Sequence, residues 1–269
     1  MSTPRDVYSH GHQASVLRSH GWRTAENSAG YLLPRLRVTD HLLDVGCGPG
    51  TITLDLASRL SQGNVVGIDN APAAVSAARR AAEAAGATGV EFAVGDSYHL
   101  DYASATFDVV HAHQVLQHLS DPVAALREMK RVCKPGGLVA ARDADYSAMT
   151  WFPASPGLDR WRDMYLRLAR ANSGEPDAGR RLRSWAIRAR FAAVTATASV
   201  WCFADPEDVA WWSDTWAERV TASSFAEQVR EQGLATAEEL EVLAGEWRAW
   251  GEAPDAWFTI VHGEVICRV

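Results

Sequence analysis

Along the first half of the chain, short apolar runs alternate with longer amphipathic stretches. Leu42–Gly46 is apolar, brief and closed by glycine, which predicts a buried strand. Thr51–Leu60 places Ile52, Leu54, Leu56 and Leu60 at helical spacing, and a further helix is expected before the first strand, over Ala25–Leu36. Asn64–Asp69 is a second strand. The alanine-rich stretch Ala71–Gly86 is a helix, with Pro72 tolerated in its first turn and Gly86 as its stop. Val90–Asp96 and Phe107–Gln114 predict strands three and four, Ser120–Cys133 a helix, and Pro135–Ala144 a fifth strand. Strands and helices alternating at these spacings imply right-handed βαβ units. The predicted fold is α/β, a Rossmann-like doubly wound parallel sheet with helices on both faces.

Beyond about Tyr146 the pattern changes. Ten of the eleven tryptophans lie after residue 150, and only two β-rich segments remain, Val194–Phe203 and Trp257–Val269. The rest of this part reads as helical. No repeat and no Pro/Gly/Ser-rich hinge separates the halves, so one domain is expected over 1–269, with a helical lid over 1–40, a ligand-binding core over 41–145 and helical additions with the last two strands over 146–269.

Composition narrows the classes. A net charge of −7 argues against a polyanionic partner, so no nucleic acid is expected. The short basic run Arg180–Arg183 reads as a solvated helix face. No apolar run is long enough to cross a bilayer, and the start of the chain lacks the pattern of a secretory signal, so a cytoplasmic protein without a membrane partner is expected. Four separated cysteines with no CxxC pair predict neither a metal site nor a disulfide framework. The oligomeric state is not written in the sequence, and a homodimer stays open.

The chemistry starts at Gly46-Cys-Gly-Pro-Gly50. In an open parallel sheet, ligands lie outside the carboxyl ends of the strands, where a glycine loop and a helix N-terminus meet. A tight turn would use the same glycines. Asp69 ends the second strand 19 residues after Gly50, where a carboxylate can accept from both hydroxyls of a ribose. Asp96, within Gly95-Asp96-Ser97, can take an exocyclic amine while the Ser97 backbone reads the ring edge. Glycine loop, ribose acid and base reader in this order point to adenosine. The loop spacing is G-x-G-x-G rather than the dinucleotide G-x-G-x-x-G, and acidic Asp44 precedes it, which disfavours a pyrophosphate and suits a cationic sulfonium ligand.

Five motifs then carry a resemblance: LLDVGCGPGT, GID, GDS, FDVVHAHQVLQHLSDP and LREMKRVCKPGG. Together they resemble the class I S-adenosylmethionine (SAM)-dependent methyltransferases, and within them the UbiE-like, type 11 group. The resemblance implies SAM as cofactor, a seven-stranded sheet whose last two strands form an antiparallel hairpin, and methyl transfer to a small-molecule acceptor. HGWRTAENSAGYLLPRL and EPDAGRRLRSWA are similar to a branch that S-methylates dithiols of the gliotoxin type, which puts a thiol acceptor of secondary metabolism among the candidates. O-, N- and C-methylation stay open, as do a non-catalytic SAM-binding module and an NAD-dependent oxidoreductase.

For cofactor binding, the candidates are Arg23, Asp44, Gly46, Cys47, Gly48, Asp69, Asn70, Gly95, Asp96, Ser97 and His113. Arg23 can pair with the methionine carboxylate, Cys47 is a spacer offering its backbone, and Asn70 bonds beside the adenosine. His113 is also a catalytic candidate, more as a positioning group than as a base; His111 alternates with it along the strand. His118 is expected on a helix surface or at a cap. Asp145 and Tyr146 are candidates for acid–base or orienting roles. Tyr8, His12, Trp22, Asp143, Trp151 and Phe152 are candidate acceptor walls, whereas Trp212 and Trp216 stand at helical spacing and are expected in the core.

Overall fold

The computed structural model describes residues 22–269; Tyr8 and His12 lie outside these residues. Seven strands form one sheet: β1 (His41–Val45), β2 (Asn64–Asp69), β3 (Val90–Val94), β4 (Phe107–His113), β5 (Cys133–Phe152), β6 (Ala193–Phe203) and β7 (Trp257–Arg268). Their spatial order is β3-β2-β1-β4-β5-β7-β6. The first five pair in parallel, and β7 runs antiparallel between β5 and β6. The expected doubly wound sheet and antiparallel last pair are therefore both present.

Helix α1 (Ala25–Ala29) opens with a capping box in which Thr24 and Asn27 satisfy each other's backbone amides. It is shorter than the predicted Ala25–Leu36. Pro34 lacks an amide hydrogen, and the chain turns into a single 3-10 turn at Leu33–Arg35 instead. Helix α2 (Thr51–Arg59) starts directly after Gly50, whose φ of 85° only glycine adopts readily. Helices α3 (Pro72–Ala84) and α4 (Pro122–Val132) both carry proline in the first turn, and Asp121 caps α4 by accepting from the Ala124 amide.

The fifth strand departs most from expectation. It runs for 20 residues rather than stopping at Ala144, so Asp145–Phe152 is strand and not loop. His113 at the tip of β4 is level with Arg142. Beyond that point β5 pairs with β7 alone, through a register shift between Asp145 and Thr150, as far as Phe152 opposite Trp257. The polar residues Asp143 and Asp145 hide this continuation from a hydrophobicity reading. The extended ends of β5, β7 and β6 thus rise as a wall above the tips of β1–β4.

Against that wall pack α5 (Pro156–Ala171), α7 (Pro206–Ala222), α8 (Ser224–Glu231) and α9 (Ala237–Gly251), while α6 (Ala178–Arg188) covers the opposite face with α4. Trp161, Trp216 and Trp247 are fully buried there with Tyr165, Phe225 and Phe258. Trp161 meets Trp216 and Trp247 edge to face at centroid distances of 4.4 and 5.0 Å, an arrangement that aromatic quadrupoles favour. Trp212 and Trp216 are in this core as their spacing predicts.

Candidate active site

The glycine loop is built by the protein's own contacts. Gly46, Gly48 and Gly50 all have positive φ, of 72°, 55° and 85°. A β-carbon on Gly46 would collide with the Val115 side chain, and one on Gly50 would stand 2.9 Å from Ala78 and Phe92. Two of the three glycines are thus required by packing as well as by backbone conformation. The loop amides are also committed: Gly46 and Cys47 donate to the Ile68 carbonyl at 2.7 and 2.8 Å, and Gly50 to the Cys47 carbonyl at 3.1 Å. The Gly48 amide donates to Asp69 Oδ2 at 2.9 Å. Pro49 has no amide hydrogen to give. Such a loop does not offer the row of amides that cradles a pyrophosphate.

Asp69 accepts from Gly48 through one oxygen and from the Ala71 amide, at 2.9 Å, through the other. A carboxylate has about four lone-pair sites, so capacity remains on both oxygens for a diol. At the tip of β3, Asp96 is exposed and its Oδ1 accepts from the Tyr98 amide at 2.8 Å. Gly95 packs against Ile68, and its amide donates to the Asp69 carbonyl at 3.0 Å, which ties the β2 and β3 tips together. Ser97 lies in this turn, and Asn70 is exposed beside Asp69. The thiol of Cys47 is pushed far up by burial and by the Asp44 and Asp69 carboxylates, so it is not a nucleophile at neutral pH.

Asp44 lies beneath the loop. Its carboxylate is buried and faces inward, accepting from Thr53 Oγ1 at 2.6 Å and from His111 Nδ1 at 2.8 Å. It locks α2 and β4 to β1 beneath the loop. Each of its oxygens is engaged in this support.

At the tip of β4 the side chains become unusual. His113 is buried, and among the described residues neither ring nitrogen has a hydrogen-bond partner. Its ring lies 5.6 Å from Trp201 and 6.1 Å from His262. Burial, together with the charges of Arg142 and Arg23, holds its pKa well below the ordinary imidazole range. Gln114 follows with a φ of 53°, rare for a residue with a side chain. It is held there by three contacts. Its amide donates to the Arg142 carbonyl at 2.7 Å, its Oε1 accepts from Arg23 Nη2 at 2.8 Å, and its Nε2 lies 2.8 Å from His262 Nε2. His262 Nδ1 in turn donates to the Ile260 carbonyl at 3.2 Å. Arg23 also lies over the Trp201 ring at 5.5 Å, and Trp22 meets Trp201 edge to face at 5.1 Å.

Sequence reading missed Gln114, Trp201 and His262, which β4, β6 and β7 bring together. The only local signal was a polar residue after His113; the other two lie far along the chain. His118 was expected at a surface or cap. It is partly buried instead, beside Gln117 at 3.1 Å, and burial lowers it to about 3.

The sequence model of the family described as "Methyltransferase domain" matches residues 37–185. An uncharacterized methyltransferase of Schizosaccharomyces pombe is 35% identical over 281 aligned residues, covering 100% of this chain and 99% of its own. A probable methyltransferase of Aspergillus luteorubrus is 36% identical, covering 64% of this chain and 62% of its own. The chain belongs to the class I SAM-dependent methyltransferases. Among solved structures, the YcgJ protein of Bacillus subtilis shares the fold with a TM-score of 0.59 at 17% identity, covering 89% of this chain and 97% of that one. Phosphoethanolamine N-methyltransferase 2 of Haemonchus contortus has a TM-score of 0.55 at 18% identity, covering 88% of this chain and 51% of that one.

The cofactor of this methyltransferase is SAM, and the residues present suit it: a diol acceptor with spare lone pairs at Asp69, and a buried imidazole without partners at the tip of β4. Asp145 and Tyr146, the other catalytic candidates, are engaged elsewhere. Asp145 grips Arg180 through both oxygens, at 2.5 and 2.6 Å, and also accepts from the Ala148 amide at 3.1 Å. The basic run expected to be a solvated face is therefore in part a clamp on β5. Tyr146 is buried and stacked on Tyr165 at 4.0 Å, and burial raises its phenol pKa. Asp143 is buried rather than on a pocket wall: Oδ1 accepts from the Gln117 amide at 3.1 Å, Oδ2 has no partner among the described residues, and burial raises it to about 8. Phe152 is 55% exposed at the far end of β5, and Trp151 stacks on Phe258 at 5.6 Å. Among the described residues no group of three or more His, Cys, Asp or Glu is arranged to hold a metal, and no helix is long and apolar enough to cross a membrane.

Proposed function

We propose that this chain methylates a small-molecule acceptor that ionises readily, with a thiol the first candidate. The observation that carries the reading is His113. Its imidazole is buried, has no partner on either nitrogen among the described residues, and is kept neutral by burial and by Arg142 and Arg23. An imidazole in these surroundings resists protonation, so it can orient an acceptor by hydrogen bonding but is a poor proton acceptor. The same positive surroundings favour an anionic nucleophile over an ammonium.

Bound SAM supplies an electrophilic methyl group and a neutral leaving group. The protein's task is then mainly alignment, an effect worth up to about 7–11 kcal/mol. The Gly46–Gly48 backbone would seat the cofactor beside Cys47, Asp69 would hold the ribose hydroxyls with Asn70 beside them, and Asp96 and Ser97 would read the adenine. Arg23, fixed by Gln114 at 2.8 Å, would face the methionine carboxylate. Trp22 and Trp201 would exclude water, with residues 1–40 acting as the lid. A thiol, with a pKa near ~8.5, is partly ionised at neutral pH and gives its proton to solvent, so it needs His113 only for orientation. The acidic balance of the chain, −7, goes with a small-molecule acceptor rather than a nucleic acid, in a cytoplasmic setting.

A turnover assay with SAM over thiol, phenol, amine and carbon-acid panels tests the reading. Thiol methylation that falls in His113→Phe while SAM still binds is expected. Turnover confined to amines, or SAM binding without turnover on any panel, overturns it.

A further inference from the structure

The sheet has two edges, and they are finished differently. At one edge, β3 is five residues long and carries Glu91. Arg79 of α3 donates to the Phe92 carbonyl through Nε at 3.0 Å and Nη2 at 2.6 Å. A short strand, a charge and a side chain already bonded to the backbone all keep other strands away. At the other edge, β6 spans eleven residues, Ala193–Phe203, with no charge, no proline and no glycine. It pairs with β7 along its whole length, and among the described residues no other strand or loop backbone joins its far side.

This edge is long and open. Eleven extended residues reach roughly 37 Å, and Thr195–Ala198 and Val200 are exposed. The threonines and valines suit a pleated ladder. Large apolar side chains stand exposed beside it. Val200 is 53% exposed, and so, at 51%, is Ile187 in the last turn of α6, the helix that leads into β6. A long, uncharged edge with free backbone groups is a template for a further strand.

Charge selects the partner. The chain entering β6 is basic, with Arg188 and Arg190, and the chain leaving it is acidic, with Asp205 and Glu207; all four are exposed. Two copies lying antiparallel, edge to edge, bring each basic end against the other's acidic end, and the uncharged strand between them adds no repulsion. Two copies lying parallel would set like charges together. A two-fold axis through the middle of the strand produces the favourable arrangement and closes the assembly at two chains. We propose that the outer edge of β6 is the docking surface for a second copy of this chain, joined strand to strand so that one sheet runs through the dimer.

Sedimentation equilibrium of the full chain, from about 1 to 100 µM, should show a reversible monomer–dimer equilibrium. Ala198 is exposed at the middle of β6. Ala198→Lys sets two ammonium groups close together across the axis and should weaken the dimer at least tenfold, with S-adenosylhomocysteine affinity unchanged. Arg190→Glu should weaken it at least threefold, and adding Glu207→Arg should restore it. The charge pair decides the matter if Ala198→Lys does not fold. Amide exchange along β6 should slow as the wild-type concentration rises. The proposal is overturned by a monomer throughout this range, whether its β6 amides exchange freely or are protected by a segment of the same chain. It is also overturned by a dimer that Ala198→Lys leaves unchanged, by one that Arg190→Glu leaves unchanged, or by one whose β6 amides exchange at the same rate at every concentration. Because S-adenosylhomocysteine binding is read separately, failure here leaves the methyltransferase reading standing.

Discussion

The tips of β1–β4 and the raised ends of β5–β7 belong to one sheet but use their residues in opposite ways. At the tips, small residues and committed backbone amides fix the shape, and the side chains keep spare hydrogen-bonding capacity, as Asp69 and His113 do. Against the raised ends, the large rings of α5, α7 and α9 fill space and their polar atoms are sacrificed. Among the described residues, the indole nitrogens of Trp161, Trp212, Trp247 and Trp250 are buried without a hydrogen-bond partner. A polar group is left unpaired where volume matters more than satisfaction. The lesson is a division of labour: damage to the aromatic half should be global, and damage at the tips should be local to binding.

The largest effect should come from the aromatic half. Trp161 touches Trp216, Trp247 and Phe258. Trp161→Ala should cost about 3–5 kcal/mol of stability by lost burial and cavity formation, read by urea unfolding. A loss under about 1 kcal/mol would mean that this core is loosely packed and the contrast is wrong.

Asp69→Ala should weaken SAM by about 1–3 kcal/mol, roughly 5–150-fold, because charge-assisted acceptors are lost at the ribose. Its unfolding midpoint should move less than that of Trp161→Ala. Unchanged calorimetric affinity would refute the ribose assignment. A stability loss equal to that of Trp161→Ala would erase the division of labour.

The two halves were also unequally legible. In the cofactor half, each element is announced locally: an apolar run, a glycine at a positive φ, a helix with proline in its first turn. That is why the tips of β1, β2 and β3 could be placed from residues near them in sequence. In the other half, β5 was cut short because Asp143 and Asp145 look like loop residues. Their partners, the Gln117 amide and Arg180, come from other elements. Gln114, Trp201 and His262 meet only once β4, β6 and β7 are side by side, and no local pattern reports a contact over that separation.

Asp143 sharpens the comparison, since it is a polar group of the tips buried like one of the core. Its carboxyl is raised to about 8 in the fold, above the ordinary value of ~3.9 in an unfolded chain. Its contribution to stability is therefore fully present below the unfolded pKa and drains away as pH rises through the folded one. Asp143→Asn keeps an oxygen for the Gln117 amide and cannot ionise. The wild-type melting temperature should fall more between about pH 5 and pH 8 than that of the variant. Parallel curves would show that the buried carboxyl is not protonated in the fold.

The smallest effect should come from Asp145, which the sequence alone marks as catalytic. Its carboxylate side chain is 5% exposed, but its partner Arg180 is 55% exposed, so solvent screens the pair. Asp145→Asn retains an oxygen for the Ala148 amide, which donates to it at 3.1 Å in the native chain. Stability should drop by about 1 kcal/mol or less. Turnover and its pH profile should stay near wild type, because both oxygens face Arg180 and not the strand tips. A hundredfold fall in rate, with the fold and SAM affinity intact, would move Asp145 from the supporting wall to the reacting groups, and the line between the two regions would shift from Arg142 to beyond Asp145.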